Sequence, residues 1–216
     1  IYPGGADDPE ILALKEWYPP DRFAERFMGI PSRPSGIVFK LASQNLHISD
    51  VHWNKDKPVQ LWIDPGFTHA YAILVAQIYG SEVYIIDEIY VDRHTHTQAL
   101  KLAMAKPWWN TVEFVTMDRA GKQRNANGES AEQVWRQEGH LRIKTNYVKV
   151  ADGIDRINTF LLPNPKTGRP SLFISPNCRG LLCEMGIGPP PDNFKSMRAW
   201  QYAATRGGHQ APVVPL

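Results

Sequence analysis

Residues 61–91, LWIDPGFTHAYAILVAQIYGSEVYIIDEIYV, constrain the fold more than any other stretch of the chain. Leu61 to Ile63 form an apolar strand end that delivers Asp64, and Pro65-Gly66 then turns the chain sharply. Ala70 to Tyr79 and Glu82 to Val91 are rich in β-branched and aromatic residues and are separated by Tyr79-Gly80-Ser81, which predicts a hairpin. Val112 to Met117 predicts a later strand that again ends in an acid, Asp118. Two such strand ends can hold both carboxylates at one edge of a sheet, the way a protein builds a hard-cation site for phosphoryl transfer.

The remaining pattern decides how these strands connect. Thr95 to Lys106 carries Ala99, Leu100, Leu102, Ala103 and Met104 and reads as a helix broken by Pro107, so a β-α-β unit with parallel pairing follows the hairpin. AGKQRNANG, residues 120–128, is a glycine- and asparagine-rich loop, and Glu129 to Glu138 is a helix ending at Gly139. Leu141 to Val148 is a strand, Asp152 to Leu162 an amphipathic helix with Ile154, Ile157, Phe160 and Leu161 inward, and Ser171 to Ile174 a last strand. Helices over 177–186 and 193–205 close the domain. Upstream, Ile37 to Leu41 is an expected strand, 42–57 an irregular polar lead-in, and Glu10 to Trp17 and Arg22 to Met28 short helices. This order predicts an α/β, ribonuclease H-like mixed sheet with an opening antiparallel hairpin and helices on both faces.

With 216 residues and 43% hydrophobic content, the chain has enough apolar surface for one good-sized core. No apolar run reaches the length of a membrane span, and IYPGGADDPE lacks the features of a signal peptide. Cys178 and Cys183 fit buried thiols in a reducing, intracellular compartment; a CysxxxxCys pair alone supplies too few ligands for zinc. Charge is distributed unevenly. Residues 1–118 carry 10 Lys+Arg against 15 Asp+Glu, whereas 119–216 carry 14 against 7, so a basic half begins directly after Asp118. An acidic site bordered by positive surface suits a polyanion bound beside a metal.

A third candidate acid is Asp192, just before the closing helix. Three carboxylates with water and phosphate can hold two divalent ions, one activating the attacking water and the other stabilising the leaving 3′ oxygen. Each acid also has a plainer reading: Asp64 as a turn residue, Asp118 as the ion-pair partner of Arg119, and Asp192 as a helix cap. Asp87 and Glu88 fall on opposite faces of their strand, which lets only one of them approach the site; the plainer reading is an edge carboxylate. Trp108, Trp109, Trp135 and Trp200 read as packing residues rather than stacking platforms.

Six segments carry a resemblance: ERFMGIPSRPSGIVF (25–39), WIDPG (62–66), VTMDRAG (115–121), ADGIDRINTFL (151–161), LFISPNCRGLLCEM (172–185) and DNFKSMRAWQYA (192–203). In order and spacing they resemble the C-terminal nuclease domain of the large terminase subunit of tailed bacteriophages and related viruses, over about residues 22–206. The resemblance implies three clustered acids, falling on Asp64, Asp118 and Asp192, and two divalent cations, Mg²⁺ or Mn²⁺. Asn193 stands where the closing motif often has a histidine. The implied activity is endonucleolytic cutting of concatemeric double-stranded viral DNA during packaging. It brings the terminase ATPase domain, the small terminase subunit and the portal as partners, and the host cytoplasm, not the mature virion, as the location.

On this reading residues 1–24 are a linker or the end of a preceding motor domain, 25–206 the nuclease domain and 207–216 a tail. No GxxxxGK[ST] motif occurs, so these residues are not expected to hydrolyse ATP. Lys122, Arg124, Lys166, Arg169, Lys195 and Arg198 are the candidate contacts to the DNA backbone. Two other readings stay open: a junction resolvase or RNA–DNA hybrid nuclease of the same fold, and a catalytically silent module that docks DNA or a portal.

Overall fold

The structure is a computed structural model, and it describes residues 38–67, 70–122, 129–145, 148–189 and 191–192. The strands are β1 (Val59–Asp64), β2 (Tyr71–Tyr79), β3 (Glu82–Val91), β4 (Val112–Met117), β5 (Ile143–Thr145) and β6 (Leu172–Ile174). The helices are α1 (Gln44–His47), α2 (His96–Met104), α3 (Ala131–Gln137), α4 (Val150–Leu161) and α5 (Arg179–Glu184). The strands form one sheet in the order β5-β4-β1-β2-β3-β6. β1–β2 and β2–β3 pair antiparallel, while β1–β4, β4–β5 and β3–β6 pair parallel. The carboxyl ends of β1, β3 and β4 therefore share one end of the sheet, and the β2–β3 turn lies at the other. Gly80, at φ 62, takes the left-handed conformation that this tight turn needs.

Strand alternation sends side chains to two separate cores. One face carries Leu61, Ile63, Ile73, Val75, Val115 and Met117 against α2, α3 and the fully buried Trp108 and Trp135. The other carries Trp62, Leu74 and Ile85 against α4 and α5 through Ile157, Leu161, Leu181 and Leu182. Helices thus cover both faces, as the sequence pattern predicts. Capping boxes start α2 and α3: the Thr95 and Ser130 hydroxyls accept the N–H of Gln98 and Gln133, whose side chains reach back to the caps.

Some expected boundaries differ. Residues 38–41 form no strand; Phe39 is buried in the second core instead. The sheet edge they would extend is already bridged, because Ile48 pairs with Ile174 on β6. The polar lead-in contains α1, whose buried His47 spans from Ser43 to the Leu161 carbonyl at the end of α4. β5 is shorter than the expected strand over 141–148. The helices expected over 10–17, 22–28 and 193–205, together with Trp200, lie outside the described residues. Cys178 and Cys183 are buried and unbridged. Among the described residues, no helix is long and apolar enough to cross a membrane.

Candidate active site

Asp64 and Asp118 come together through strand register. β1 and β4 run parallel with Trp62 opposite Thr116 and Ile63 opposite Met117, and the Asp118 N–H donates to the Ile63 carbonyl at 3.4 Å. The two aspartates are the next residues on adjacent strands, side by side at the sheet end. Their neighbours Ile63 and Met117 point into the first core, so by alternation both carboxylates stand on the second face. Asp64 is half-buried, and its carboxyl is pushed up to about 6, first by burial and then by the negative charge of Asp118. Behind the pair, the Trp62 Nε1 and Thr116 Oγ1 atoms are buried without a hydrogen-bond partner.

A bulge in β3 brings further polar groups to the same face. Val75 pairs with Asp87 and Ala76 with Ile85, so Ile86 is the extra residue. Beyond it, side-chain alternation shifts by one. Asp87 turns to the first face, where its Oδ2 accepts from Lys106 Nζ at 2.8 Å and Trp108 Nε1 at 2.7 Å. Glu88 and Tyr90 turn to the second. The Glu88 carboxylate accepts the backbone N–H groups of Gly180 at 2.7 Å and Leu181 at 2.8 Å, at the start of α5. Tyr90 donates to Glu184 Oε1 at 2.8 Å, at the end of α5.

Glu184 belongs to the same electrostatic field as Asp64. Burial pushes its carboxyl up to about 7, against the hydrogen bond from Tyr90, and the charges of Asp64 and Glu88 push in the same direction as burial. Glu88 also rises to about 7, by burial and by Asp87, against the two amide hydrogen bonds. Among the described residues, no three His, Cys, Asp or Glu side chains are grouped closely enough to hold a metal ion.

The other expected site residues are spread out. Asp192 is exposed and makes a two-pronged pair with Arg179 at the start of α5, at 2.6 and 3.2 Å. Lys122 ends the 3₁₀ turn that follows Asp118 and stands 3.9 Å from Glu132. Lys166 and Arg169 precede β6, at the opposite end of the sheet from Asp64. Arg169 lies 3.9 Å from Glu82 and 5.2 Å from the Phe173 ring centroid. At about 3.3 Å per residue, the run of β3 from Val83, which pairs with β6, to Tyr90 separates that end from the acids by roughly 23 Å. Arg124, Lys195 and Arg198 lie outside the described residues.

Sequence reasoning passed over Glu184, Tyr90 and Arg93. The available signal for Glu184 was its being the one acid in an otherwise apolar helix, LLCEM. Arg93 is exposed, has a left-handed φ of 53, and donates its N–H to the Phe67 carbonyl at 3.0 Å, tying the loop after β3 to the loop after Asp64.

No protein-family model matches the chain, and no curated protein matches it in sequence. Solved structures do. The chain is similar to the P22 large terminase nuclease domain, with a TM-score of 0.53 and 16% identity, over 78% of this chain and 92% of that one. It is also similar to the large terminase of a thermophilic bacteriophage, with a TM-score of 0.54 and 15% identity, over 83% of this chain. The match spans 44% of that longer terminase, less than half its length. The chain therefore has a ribonuclease H-like mixed α/β fold. Within that class, its fold is the one found in large terminase nuclease domains.

Proposed function

We propose that the chain is a divalent-metal-dependent endonuclease that cuts concatemeric double-stranded viral DNA during genome packaging, by two-metal-ion phosphodiester hydrolysis. One observation carries the reading: Asp64 and Asp118 stand side by side at the ends of parallel strands, with Asp64 held half-buried against the charge of Asp118. Crowding two carboxylates costs stability unless a cation offsets it. The donor set is all oxygen, which suits Mg²⁺ or Mn²⁺. Such ions, when bound, would polarise the scissile phosphate and support the attacking and leaving oxygens.

Asp64 and Asp118 are assigned to hold the cations, and Asp192 to join them once it exchanges its partner Arg179 for the site. Lys122 and Arg124, in the segment after Asp118, would run along the DNA backbone, with Lys195 and Arg198 approaching from the closing segment. Lys166 and Arg169 would reach DNA only if the duplex extends to the far end of the sheet. Contacts of this kind fix position without reading sequence, so cutting by this chain alone should show little site preference. The packaging ATPase, small subunit and portal are the proposed partners, in the cytoplasm of an infected cell.

The test is cleavage of supercoiled plasmid with Mn²⁺, Mg²⁺ or EDTA, beside Asp64→Ala and Asp118→Asn. Metal-dependent cutting that both substitutions abolish is the expected result. Cutting that survives either substitution, or absence of cutting by the folded wild type with any metal, would overturn it.

A further inference from the structure

We propose that Phe67 stacks on a base beside the scissile phosphate while Arg93 holds the adjoining backbone, so that the chain binds duplex DNA most tightly where the base stack is already open. This deepens the nuclease reading above and rests on it.

Phe67 stands where the substrate must pass. Asp64 closes β1 opposite Ala72 on the antiparallel β2, so the chain that leaves it through Pro65, Gly66 and Phe67 does so at the acid end of the sheet. Phe67 follows Asp64 by three residues, which bounds their Cα separation at about 10–11 Å. Successive nucleotides of one strand rise about 3.4 Å, so Phe67 lies within roughly three base steps of a phosphate held at the acids. Its side chain is open to solvent. At 58% exposure it is the most exposed large hydrophobic side chain among the described residues, and the only aromatic one in that group. A lone exposed apolar side chain is ordinary on a protein surface. What sets this one apart is its company.

The segment that carries Phe67 is fastened on two sides to loops that bear cations. On one side the Arg93 N–H donates to the Phe67 carbonyl at 3.0 Å. Arg93 is exposed and lies in the short link, residues 92–94, between the end of β3 at Val91 and the α2 cap at Thr95, so its place is set from both ends. On the other side Pro65 lies against Gly121, where an added Cβ would come within 3.6 Å of the proline ring. The exposed Lys122, 3.9 Å from Glu132, follows directly. A solvent-facing ring flanked by two cationic loops, one short turn from the acid pair, suits a base stacked beside its own backbone. The π-face accepts any base and the cations take phosphate. Inserting a ring requires an opened stack, and opening costs least where the duplex is mismatched. The preference is therefore for a distorted site and not for a base sequence.

The experiment is binding of two short labelled duplexes, one matched and one with a central mismatch, to the 216-residue chain, followed by fluorescence anisotropy with Ca²⁺ in place of Mn²⁺ so that the DNA stays intact. Wild type should bind the mismatched duplex more tightly. Phe67→Ala and Phe67→Leu should each weaken that binding by about tenfold and matched binding much less, whereas Phe67→Trp should keep the preference, because stacking needs a flat ring and not apolar bulk. Arg93→Ala, which removes a phosphate contact, should weaken both duplexes alike. Phe67→Ala with wild-type affinity for both duplexes, or Phe67→Leu indistinguishable from wild type, would overturn the stacking role. Cutting with Mn²⁺ that Asp118→Asn abolishes would, in that case, leave the nuclease reading intact. Wild type that cuts neither duplex with any metal would sink the nuclease reading itself, whatever the binding shows.

Discussion

Asp64→Asn should make the metal-free chain more stable while removing its activity. In the folded chain the Asp64 carboxyl rises from 3.8 to about 6, through burial and through Asp118. At about 1.4 kcal/mol per pKa unit, that shift corresponds to roughly 3 kcal/mol of penalty on the ionised form. The side chain is only half-buried, and solvent screens part of the repulsion, so about 1–2 kcal/mol is the expected effect. Its sign follows from linkage. A carboxyl whose folded pKa lies above its unfolded value stabilises the fold while protonated, and that contribution is lost as pH rises through the folded pKa. Wild type is therefore unpenalised below about pH 4 and carries the full cost above about pH 7. Asparagine has no such dependence. Urea or thermal unfolding in EDTA near pH 5 and near pH 8 measures the difference, and for a chain of this size each kcal/mol moves the Tm by about 2–4 °C. The advantage of the variant should be about half its full size near pH 5 and complete near pH 8. Adding Mn²⁺ should raise the Tm of wild type and not that of the variant. If Asp64→Asn is no more stable than wild type near pH 8, or if the difference is the same at both pH values, the carboxylate is not held against Asp118 as described.

Gly180→Ala forces a methyl group into the Tyr90 ring and should cost about 1–3 kcal/mol, measured by urea unfolding. Lys122→Ala should weaken binding of a linear duplex and shallow its salt dependence, by roughly one unit of slope for a lost phosphate contact, whereas Arg169→Ala should leave both nearly unchanged. Arg93→Ala should behave like Lys122→Ala, because Arg93 sits exposed at the acid end of the sheet; equal affinities for wild type and this variant would remove it from the DNA path.

The hairpin, the β-α-β unit and the two strand-end acids were legible because each rests on local chemistry. Alternation, glycine turns and an acid closing an apolar run need no tertiary information. What was not legible was which acids converge. Period-two alternation puts Asp87 and Glu88 on opposite faces, and the structure agrees, but alternation counted without interruption from Ile85 would send Asp87 toward α5 and Glu88 and Tyr90 away from it. The bulge at Ile86 reverses that assignment, and nothing in IIDEIY marks its position. Glu184 was hidden for a related reason. An acid in a short apolar helix reads as a solvated exception until the strand beneath it is known to present a tyrosine. Arg93 was invisible because its left-handed backbone is a property of the loop that holds Phe67, not of the residue type.

The acids and the core are linked residue by residue, and magnitudes explain why the sheet tolerates the arrangement. Each acid follows a side chain buried on the opposite face: Ile63 at 2% exposure before Asp64, and Met117 at 0% before Asp118. Burying a side chain of that size contributes about 1.5–3 kcal/mol, comparable to or larger than the 1–2 kcal/mol by which the crowded carboxylate destabilises the metal-free fold. Parallel pairing of β1 with β4 then does two things with one register. It stacks Ile63 beside Met117 in the first core, and by the same geometry sets Asp64 beside Asp118 on the other face. A slip of one residue in that pairing would separate the acids and open the core together, so the stability of the sheet itself holds the carboxylates at one edge.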